Sequence, residues 1–223
     1  MQQAVFGLIA VAAATQAFRL LDKQIAARGL ARPYYAVHVV HNVAMVALTA
    51  GDVWSSFTDF YNVPYHETNW PAIILCFALH FYHIIDYWQS FHVDDWLHHG
   101  LMIGAALPIA TMMSGGGSLI GANLFFTTGL PGGISYGLLF AQRNGWITRE
   151  QEKAVNVPVH AWIRGPGCIA NAAMVLTTAL GASSIATWWQ LMGAWIIAAT
   201  TYWNGVYFTR QVIEAGMRPA RSD

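Results

Sequence analysis

The sequence predicts an all-α fold, a polytopic membrane bundle of about seven transmembrane helices. It forms a single domain over residues 1–223, with its core at about residues 30–208. Of the 223 residues, 56% are hydrophobic and only 10% are charged, which is typical of membrane proteins and not of soluble domains. The apolar residues fall into separate runs long enough for spans, and several of the ten tryptophans lie near the ends of these runs. Tryptophans so placed match the aromatic belts of membrane interfaces.

Seven apolar runs are separated by short polar connections. The predicted spans are residues 4–21, 34–50, 71–88, 95–113, 118–139, 155–180 and 187–208. The first run lacks the basic segment that precedes a cleavable signal peptide, so we expect a retained signal-anchor. Because the connections are short and no soluble domain is evident, any chemistry is expected between the helices.

Basic residues are segregated along the chain. Ten of the eleven lysines and arginines fall in the first connection, the fifth connection and the tail, and with seven spans these regions share one side. The positive-inside rule makes that side cytoplasmic. The sequence therefore predicts an outside or lumenal N-terminus and a cytoplasmic C-terminus. The ten residues are Arg19, Lys23, Arg28, Arg32, Arg143, Arg149, Lys153, Arg210, Arg218 and Arg221.

The fourth span opens with the run Asp94-Asp95-Trp96-Leu97-His98-His99. On a helix, each carboxylate lies three or four residues before a histidine, so the two kinds of side chain can meet across one turn. Ionisable groups entering a bilayer are costly and mark functional sites by default. We therefore interpret Asp94, Asp95, His98 and His99 as candidate catalytic residues, in which a carboxylate orients an imidazole. The alternative is an interfacial helix cap.

Most other intramembrane polar residues are predicted to lie at the same depth as this run. Eight of the nine histidines fall in the cytoplasmic half, which indicates one polar chamber open toward the cytoplasm. Arg164, the one basic residue inside a span, should face this chamber and pair with Asp86, Asp94 or Asp95. Candidate substrate-binding residues are His38, His41, His80, His83, Asp86, Asn156, His160 and Arg164.

Proline and glycine predict irregular backbone in two spans. Pro108 should kink the fourth span beyond the histidine pair. The segment at residues 127–133, with sequence TTGLPGG, is expected to interrupt the fifth span at mid-depth. Non-helical backbone at that depth is tolerated where it is buried in protein or lines a cavity.

With these motifs the chain resembles the TLC domain family, which includes the ceramide synthases. The paired histidine with upstream acids matches that family's hallmark, residues 34–42 look like its histidine-containing early span, and Asn156 with Arg164 looks like its Asn-then-Arg helix. The resemblance implies acyl transfer from acyl-CoA to a lipid amine or hydroxyl, with His98 or His99 as base or nucleophile. It implies no bound cofactor beyond acyl-CoA as co-substrate, membrane lipids as partners, and the endoplasmic reticulum as location in a eukaryote.

Two other function classes remain open. A lipid-sensing, lipid-transport or membrane-composition protein would use the same cavity without catalysis, and the absence of an acid or histidine at residues 127–133 favours it. A metal-dependent lipid hydroxylase or desaturase would use the many imidazoles, although HxxxH and HxxHH boxes are absent and no metal site is predicted. The last span has no lysine for a retinal Schiff base, and nothing indicates nucleic-acid binding.

Overall fold

The computed structural model describes residues 2–112, 117–181 and 187–218. Over these ranges the chain is helical and contains no β-strand, so the predicted all-α class is confirmed. Met113, the predicted end of the fourth span, and Arg221 of the basic tail lie outside the described residues.

Seven helices run through the described residues, each at the position of one predicted span. They are α1 (Gln2–Ala26), α2 (Pro33–Thr58), α3 (Trp70–Tyr87), α4 (residues 93–112), α5 (Gly117–Arg143), α6 (residues 149–181) and α7 (Trp188–Met217). Two short 3-10 helices, Phe60–Tyr65 and Trp88–Ser90, occupy connections. Several helices extend beyond the predicted span, because hydropathy detects only the apolar part of a helix.

Local sequence signals set the ends of these helices. Gly29 and Gly145, just beyond α1 and α5, have positive φ angles of 73° and 74°, a conformation that favours glycine and ends a helix. Helix α6 begins with a capping box, in which Thr148 and Gln151 each bond the other's backbone N–H. Pro33 lies in the first turn of α2, where its missing N–H costs nothing.

Four helical segments are long and apolar enough to cross a membrane: Val5–Ala26, Pro33–Thr58, Trp70–Ser90 and Gly117–Arg143. Their outward surfaces are apolar, as on α1, where Phe6 is 74% and Leu8 is 72% exposed. A contiguous apolar exterior is unfavourable in water and favourable in lipid. By length and composition, these helices support a membrane protein.

Six of the seven helices form a closed ring. In order around it, α2 packs against α3, α3 against α4, α4 against α7, α7 against α6, α6 against α5, and α5 back against α2. Helix α1 packs outside the ring, on α2 and α3. Apolar clusters between neighbouring helices hold the ring, one centred on Met45 and Ile73 and another on Phe18 and Tyr82.

The contact between α6 and α7 depends on a glycine. A Cβ atom added at Gly205 would lie 2.5 Å from the Cβ atom of Cys168 on α6. Small residues at such crossings let two helix backbones approach closely. This approach places the preceding residue, Asn204, against α6.

The connection between α2 and α3 is fixed by polar contacts to α5. Asp59 accepts hydrogen bonds from the Asn62 amide at 2.6 Å and from His66 Nε2 at 3.1 Å. These bonds lower the pKa of the Asp59 carboxyl, Asn62 contributing most. The other ring nitrogen of His66 contacts the Ser118 hydroxyl at 2.8 Å, so the histidine joins the connection to α5.

Candidate functional site

The six-helix ring encloses a cavity of about 630 Å³. All six ring helices contribute to its wall, and among the described residues none from α1 does. One end is polar and rich in histidine. The other end is lined mainly by apolar side chains, including Leu107, Ala110, Ile120, Ala194 and Ile197. A cavity of this kind fits a ligand with one polar group and a hydrocarbon part.

Five histidines meet at the polar end. Ring centroids lie 5.3 Å apart for His38 and His83, 5.5 Å for His83 and His99, and 5.2 Å for His80 and His99. His98 is 5.7 Å from His80. The sequence predicted a convergence of histidines from four helices. The structure brings together these five, from α2, α3 and α4, and all of them line the cavity.

Three of these imidazoles are oriented in the same way by their own helices. Nδ1 of His38, His80 and His99 lies 2.7 Å from the backbone carbonyl four residues earlier, that of Tyr34, Cys76 and Asp95 respectively. A ring nitrogen facing a carbonyl must donate, so the proton is on Nδ1 and the neutral ring keeps its lone pair on Nε2. In His99, which is 6% exposed, Nε2 is buried without a partner.

His98 is oriented differently. Its Nδ1 lies 3.4 Å from the amide nitrogen of Asn204 on α7. Because an amide NH₂ group only donates, Nδ1 of His98 accepts and the proton of the neutral ring is on Nε2. The neighbouring histidines His98 and His99 thus present opposite groups, a donor from Nε2 of one and an acceptor from Nε2 of the other.

Arg164 also lines the cavity and is only 9% exposed. Its Nη2 donates to the side-chain oxygen of Asn204 at 2.8 Å, and its guanidinium lies 4.9 Å from the centre of the Phe208 ring. Its Nε is buried without a partner. The predicted pairing with an acid is wrong, because no carboxylate of the described residues lies within ion-pair distance of Arg164.

The acids of the central motif do not bond the histidine rings. The Asp95 carboxylate lines the cavity but accepts from the backbone N–H of His92 at 2.9 Å, as part of the N-terminal cap of α4. Asp94 is exposed and accepts from the Gln211 amide at 3.3 Å. The expected carboxylate–imidazole contact is therefore absent, because helix geometry directs Asp95 back to the cap.

Asp86 is not part of the cavity wall. It pairs with Arg19, whose Nε lies 3.0 and 2.8 Å from the two carboxylate oxygens. This pair joins α1 to α3 on the outside of the ring. The substrate-binding role predicted for Asp86 is not supported by its position.

His41 is buried beside the cavity and does not line it. Its Nδ1 lies 2.8 Å from the side-chain oxygen of Asn42, which also accepts from the Thr128 hydroxyl at 2.9 Å. His41 packs edge-on against Phe18. His41 thus joins α2 to α1 through Phe18 and to α5 through Asn42 and Thr128.

Asn156 and His160 belong to a second buried network between α5 and α6. The Ser135 hydroxyl donates to Asn156 at 2.6 Å and accepts from Nε2 of His160 at 2.9 Å. Asn156 in turn donates to Glu152 at 2.7 Å, and Glu152 pairs with Lys153 at 3.0 Å. Neither Asn156 nor His160 lines the cavity, so the structure places both behind the site.

Three residues in the cavity wall or in contact with it were not predicted. Tyr136 lies 4.1 Å from the ring of His38, and Phe91 lies 4.7 Å from the ring of His99. Asn204 contacts both Arg164 and His98. The sequence could have indicated Asn204, since a lone amide in an apolar span needs a buried partner. It could not have indicated Tyr136 and Phe91, because they resemble ordinary core residues.

Widened helical turns shape the cavity wall. Each of α4, α5 and α6 contains a π-helical segment, at His99–Ala106, Phe125–Gly129 and His160–Arg164. Each segment ends two residues before a proline, Pro108, Pro131 or Pro166. Since a proline ring clashes with the carbonyl four residues earlier, a wider turn removes the conflict. The predicted interruption of α5 is therefore a π-helical turn and not non-helical backbone.

No group of three or more His, Cys, Asp or Glu side chains within residues 2–112, 117–181 and 187–218 is arranged to hold a metal ion. Comparison with known proteins adds no assignment: no family model, curated protein or solved structure matches the chain.

Proposed function

We propose that all seven helices cross the membrane, with the N-terminus outside or lumenal and the C-terminus cytoplasmic. The four apolar spans support this proposal, as do the remaining three helices that complete the ring. The segregation of ten basic residues to one side supports the orientation. A closed ring also satisfies the requirement that polar groups in a membrane face inward, since the histidines line the cavity.

We further propose that the cavity holds a membrane lipid, with hydrocarbon in the apolar part and the reacting group among the histidines. The reaction class is acyl transfer from acyl-CoA to a lipid amine or hydroxyl. The observation that carries it is His99, which lines the cavity and donates from Nδ1 to a backbone carbonyl at 2.7 Å. Its Nε2 is buried and has no hydrogen-bond partner among the described residues. A fixed imidazole with a free lone pair is suited to general-base catalysis.

The acyl transfer needs no reactant other than acyl-CoA and the lipid amine or hydroxyl. Nε2 of His99 takes the proton of the attacking amine or hydroxyl while that atom forms a bond to the acyl carbon. The carbon–sulfur bond of the thioester then breaks, and the leaving thiolate receives the proton back from the imidazolium. The Asp95 carbonyl stabilises the cation, a part played by a carboxylate in catalytic triads. The resemblance to the TLC domain family supports this reaction class and an endoplasmic reticulum location in a eukaryote.

Lipid mass spectrometry of cells expressing the full chain tests this proposal. We expect the wild-type chain to raise one class of acylated lipid and the His99→Ala variant to leave it at background. The His66→Ala variant is the matched control, since His66 lies in the connection outside the cavity. An equal rise with His99→Ala would contradict a catalytic role. Elemental analysis of the purified protein tests the metal-dependent alternative.

A second candidate is a lipid-binding protein without catalysis. Among the residues that the structure describes, no carboxylate is bonded to His98 or His99. This favours the second candidate, since a base without a carboxylate partner is weaker. In this case a lipid should co-purify with the full chain in unaltered form. No acylated lipid class should then change on expression, which separates this candidate from the transferase.

A further inference from the structure

Arg164 places an uncompensated positive charge at the polar end of the cavity. The guanidinium is 9% exposed, and the two residues that contact it, Asn204 and Phe208, offer only an amide oxygen and an aromatic face. A buried charge without a counter-ion is strongly unfavourable, and natural proteins pair such groups.

No described acid forms an ion pair with Arg164, although Asp95 lines the same cavity. Asp86 is paired with Arg19, Glu152 with Lys153, and Glu214 with Arg210. Asp22 accepts hydrogen bonds from the hydroxyls of Tyr82 and Tyr87 on α3, away from α6. Among the described residues, Arg164 therefore has no carboxylate within ion-pair distance.

His98 adds a second donor beside Arg164. Nε of Arg164 is buried and has no partner among the described residues. Asn204 uses its oxygen for Arg164 and turns its NH₂ group toward Nδ1 of His98, which leaves the Nε2 proton of His98 unused in the neutral ring. Two side chains from α4 and α6 thus present N–H groups at the same cavity and share Asn204 as a bridge.

We propose that the cavity binds an amphiphilic anion, whose carboxylate or phosphate group sits against Arg164 and His98 and whose hydrocarbon chain occupies the apolar end. A planar guanidinium is suited to such oxyanions because it can donate two parallel hydrogen bonds. The inference deepens the proposed function by naming the lipid class, and it rests on the proposal that a lipid fills the cavity. It also disfavours a cationic lipid amine as the occupant of this position.

Binding of defined probes to the full-length protein in phosphatidylcholine nanodiscs tests this inference. The probes are palmitate, hexadecyl phosphate, hexadecanol, hexadecylamine and inorganic phosphate, measured by competition and native mass spectrometry. We expect both amphiphilic anions to bind about tenfold or more tightly than hexadecanol, the range for hydrogen bonds to a charged group. Competition by inorganic phosphate as strong as that by hexadecyl phosphate would identify a free-phosphate site and overturn the lipid assignment.

Two variants test whether Arg164 causes the preference for amphiphilic anions over hexadecanol. Arg164→Gln removes the charge, and Asn204→Asp is nearly isosteric and provides an internal carboxylate, so either should abolish the preference for anions and spare hexadecanol. Arg19→Gln is the matched control, because Arg19 is an arginine outside the ring, and it should retain the preference. Should Arg164→Gln fail to fold, Asn204→Asp and the wild-type probe series decide the matter. Equal binding of palmitate and hexadecanol to wild type would refute the inference.

The binding test is independent of catalysis. A His99→Ala variant that loses acyl transfer and still prefers anions would support both proposals. Anion preference in a protein without acyl transfer would leave the inference standing and reject the transferase.

Discussion

His99 donates its Nδ1 proton to the backbone carbonyl of Asp95, at 2.7 Å, and not to the Asp95 carboxylate. The carboxylate instead accepts from the His92 N–H and caps α4. Backbone carbonyls orient histidines in the same way as carboxylates do, with less stabilisation of the cation. The role of Asp95 in orienting His99 therefore depends on its backbone and not on its side chain.

This relationship predicts that Asp95→Asn is tolerated where His99→Ala is not. The asparagine oxygen can still accept from His92, and the backbone carbonyl that orients His99 is unchanged. We expect Asp95→Asn to keep lipid acylation, or lipid co-purification if the protein only binds, within a few-fold of wild type. Mass spectrometry of the two variants checks this. A loss with Asp95→Asn as large as with His99→Ala would indicate a carboxylate-dependent triad.

Gly205→Ala should destabilise the protein by about 1–3 kcal/mol, the range for overpacking a tight contact. The new methyl group would lie 2.5 Å from the Cβ atom of Cys168, so α6 and α7 must separate. Thermal unfolding of the purified protein in one detergent measures the change. Gly51→Ala on α2 is the matched control, because nothing lies within 4 Å of its added Cβ atom. It should leave the unfolding temperature unchanged or slightly raised.

Pro108→Ala should convert part of the π-helical segment His99–Ala106 to α-helix. Alanine restores a backbone N–H and removes the clash with the carbonyl of Gly104, so regular hydrogen bonds can form. Hydrogen exchange across this segment should slow by about two- to tenfold, as expected for one recovered hydrogen bond. The segment Phe125–Gly129 in α5 serves as internal control. Unchanged exchange would show that packing, and not the proline, maintains the π-helix.

The pair formed by Asp59 and His66 predicts a pH dependence of stability. Hydrogen bonds from Asn62 and His66 lower the pKa of Asp59 in the folded state. A carboxyl with a depressed pKa stabilises the fold above its unfolded pKa, and this contribution is lost as the pH falls through the folded value. Asp59→Asn should therefore lower the unfolding temperature at neutral pH and converge with wild type in acid. Parallel unfolding curves across the pH range would contradict this account.

The proposed topology places the two termini on opposite sides of the membrane. Adding a glycosylation acceptor to either end of the chain in a eukaryotic cell should give glycan at the N-terminus alone. A version tagged at the connection between α5 and α6, near Arg143, should remain unmodified. Modification of both ends would require an even number of spans and would reject the seven-span arrangement.

Hydropathy was sufficient to locate the helices. Positions along the spans predicted that eight histidines share one depth, and five of them line the cavity. Depth follows from position along a span, at about 1.5 Å per residue. The direction in which a side chain points follows from helix rotation, which the sequence does not state. His38 and His41 are nearly one turn apart, yet His38 lines the cavity and His41 packs against Phe18.

The property of the site that the sequence predicted least well was which side chains pair with one another. Asp86 and Arg164 were expected to meet because both were predicted to lie in the cytoplasmic half of their spans. In the structure Asp86 pairs with Arg19 on α1, the helix outside the ring, and Arg164 contacts Asn204, forty residues later. Packing among all the helices decides which of them forms part of the ring and which lies outside it. No local sequence pattern therefore specifies this arrangement.

The polar and apolar ends of the cavity depend on different parts of the ring, and the three proline-linked π-helical segments carry the polar end. Because the widened turns are built into the backbone near His99, Thr127 and Arg164, the frame that carries the polar groups does not depend on the apolar side chains further along the cavity. Natural variation or design can therefore lengthen, shorten or narrow the apolar end, for example at Ala110 or Ala194, without rebuilding the polar end. If the proposed lipid occupies the cavity, one scaffold serves ligands of many chain lengths through single substitutions.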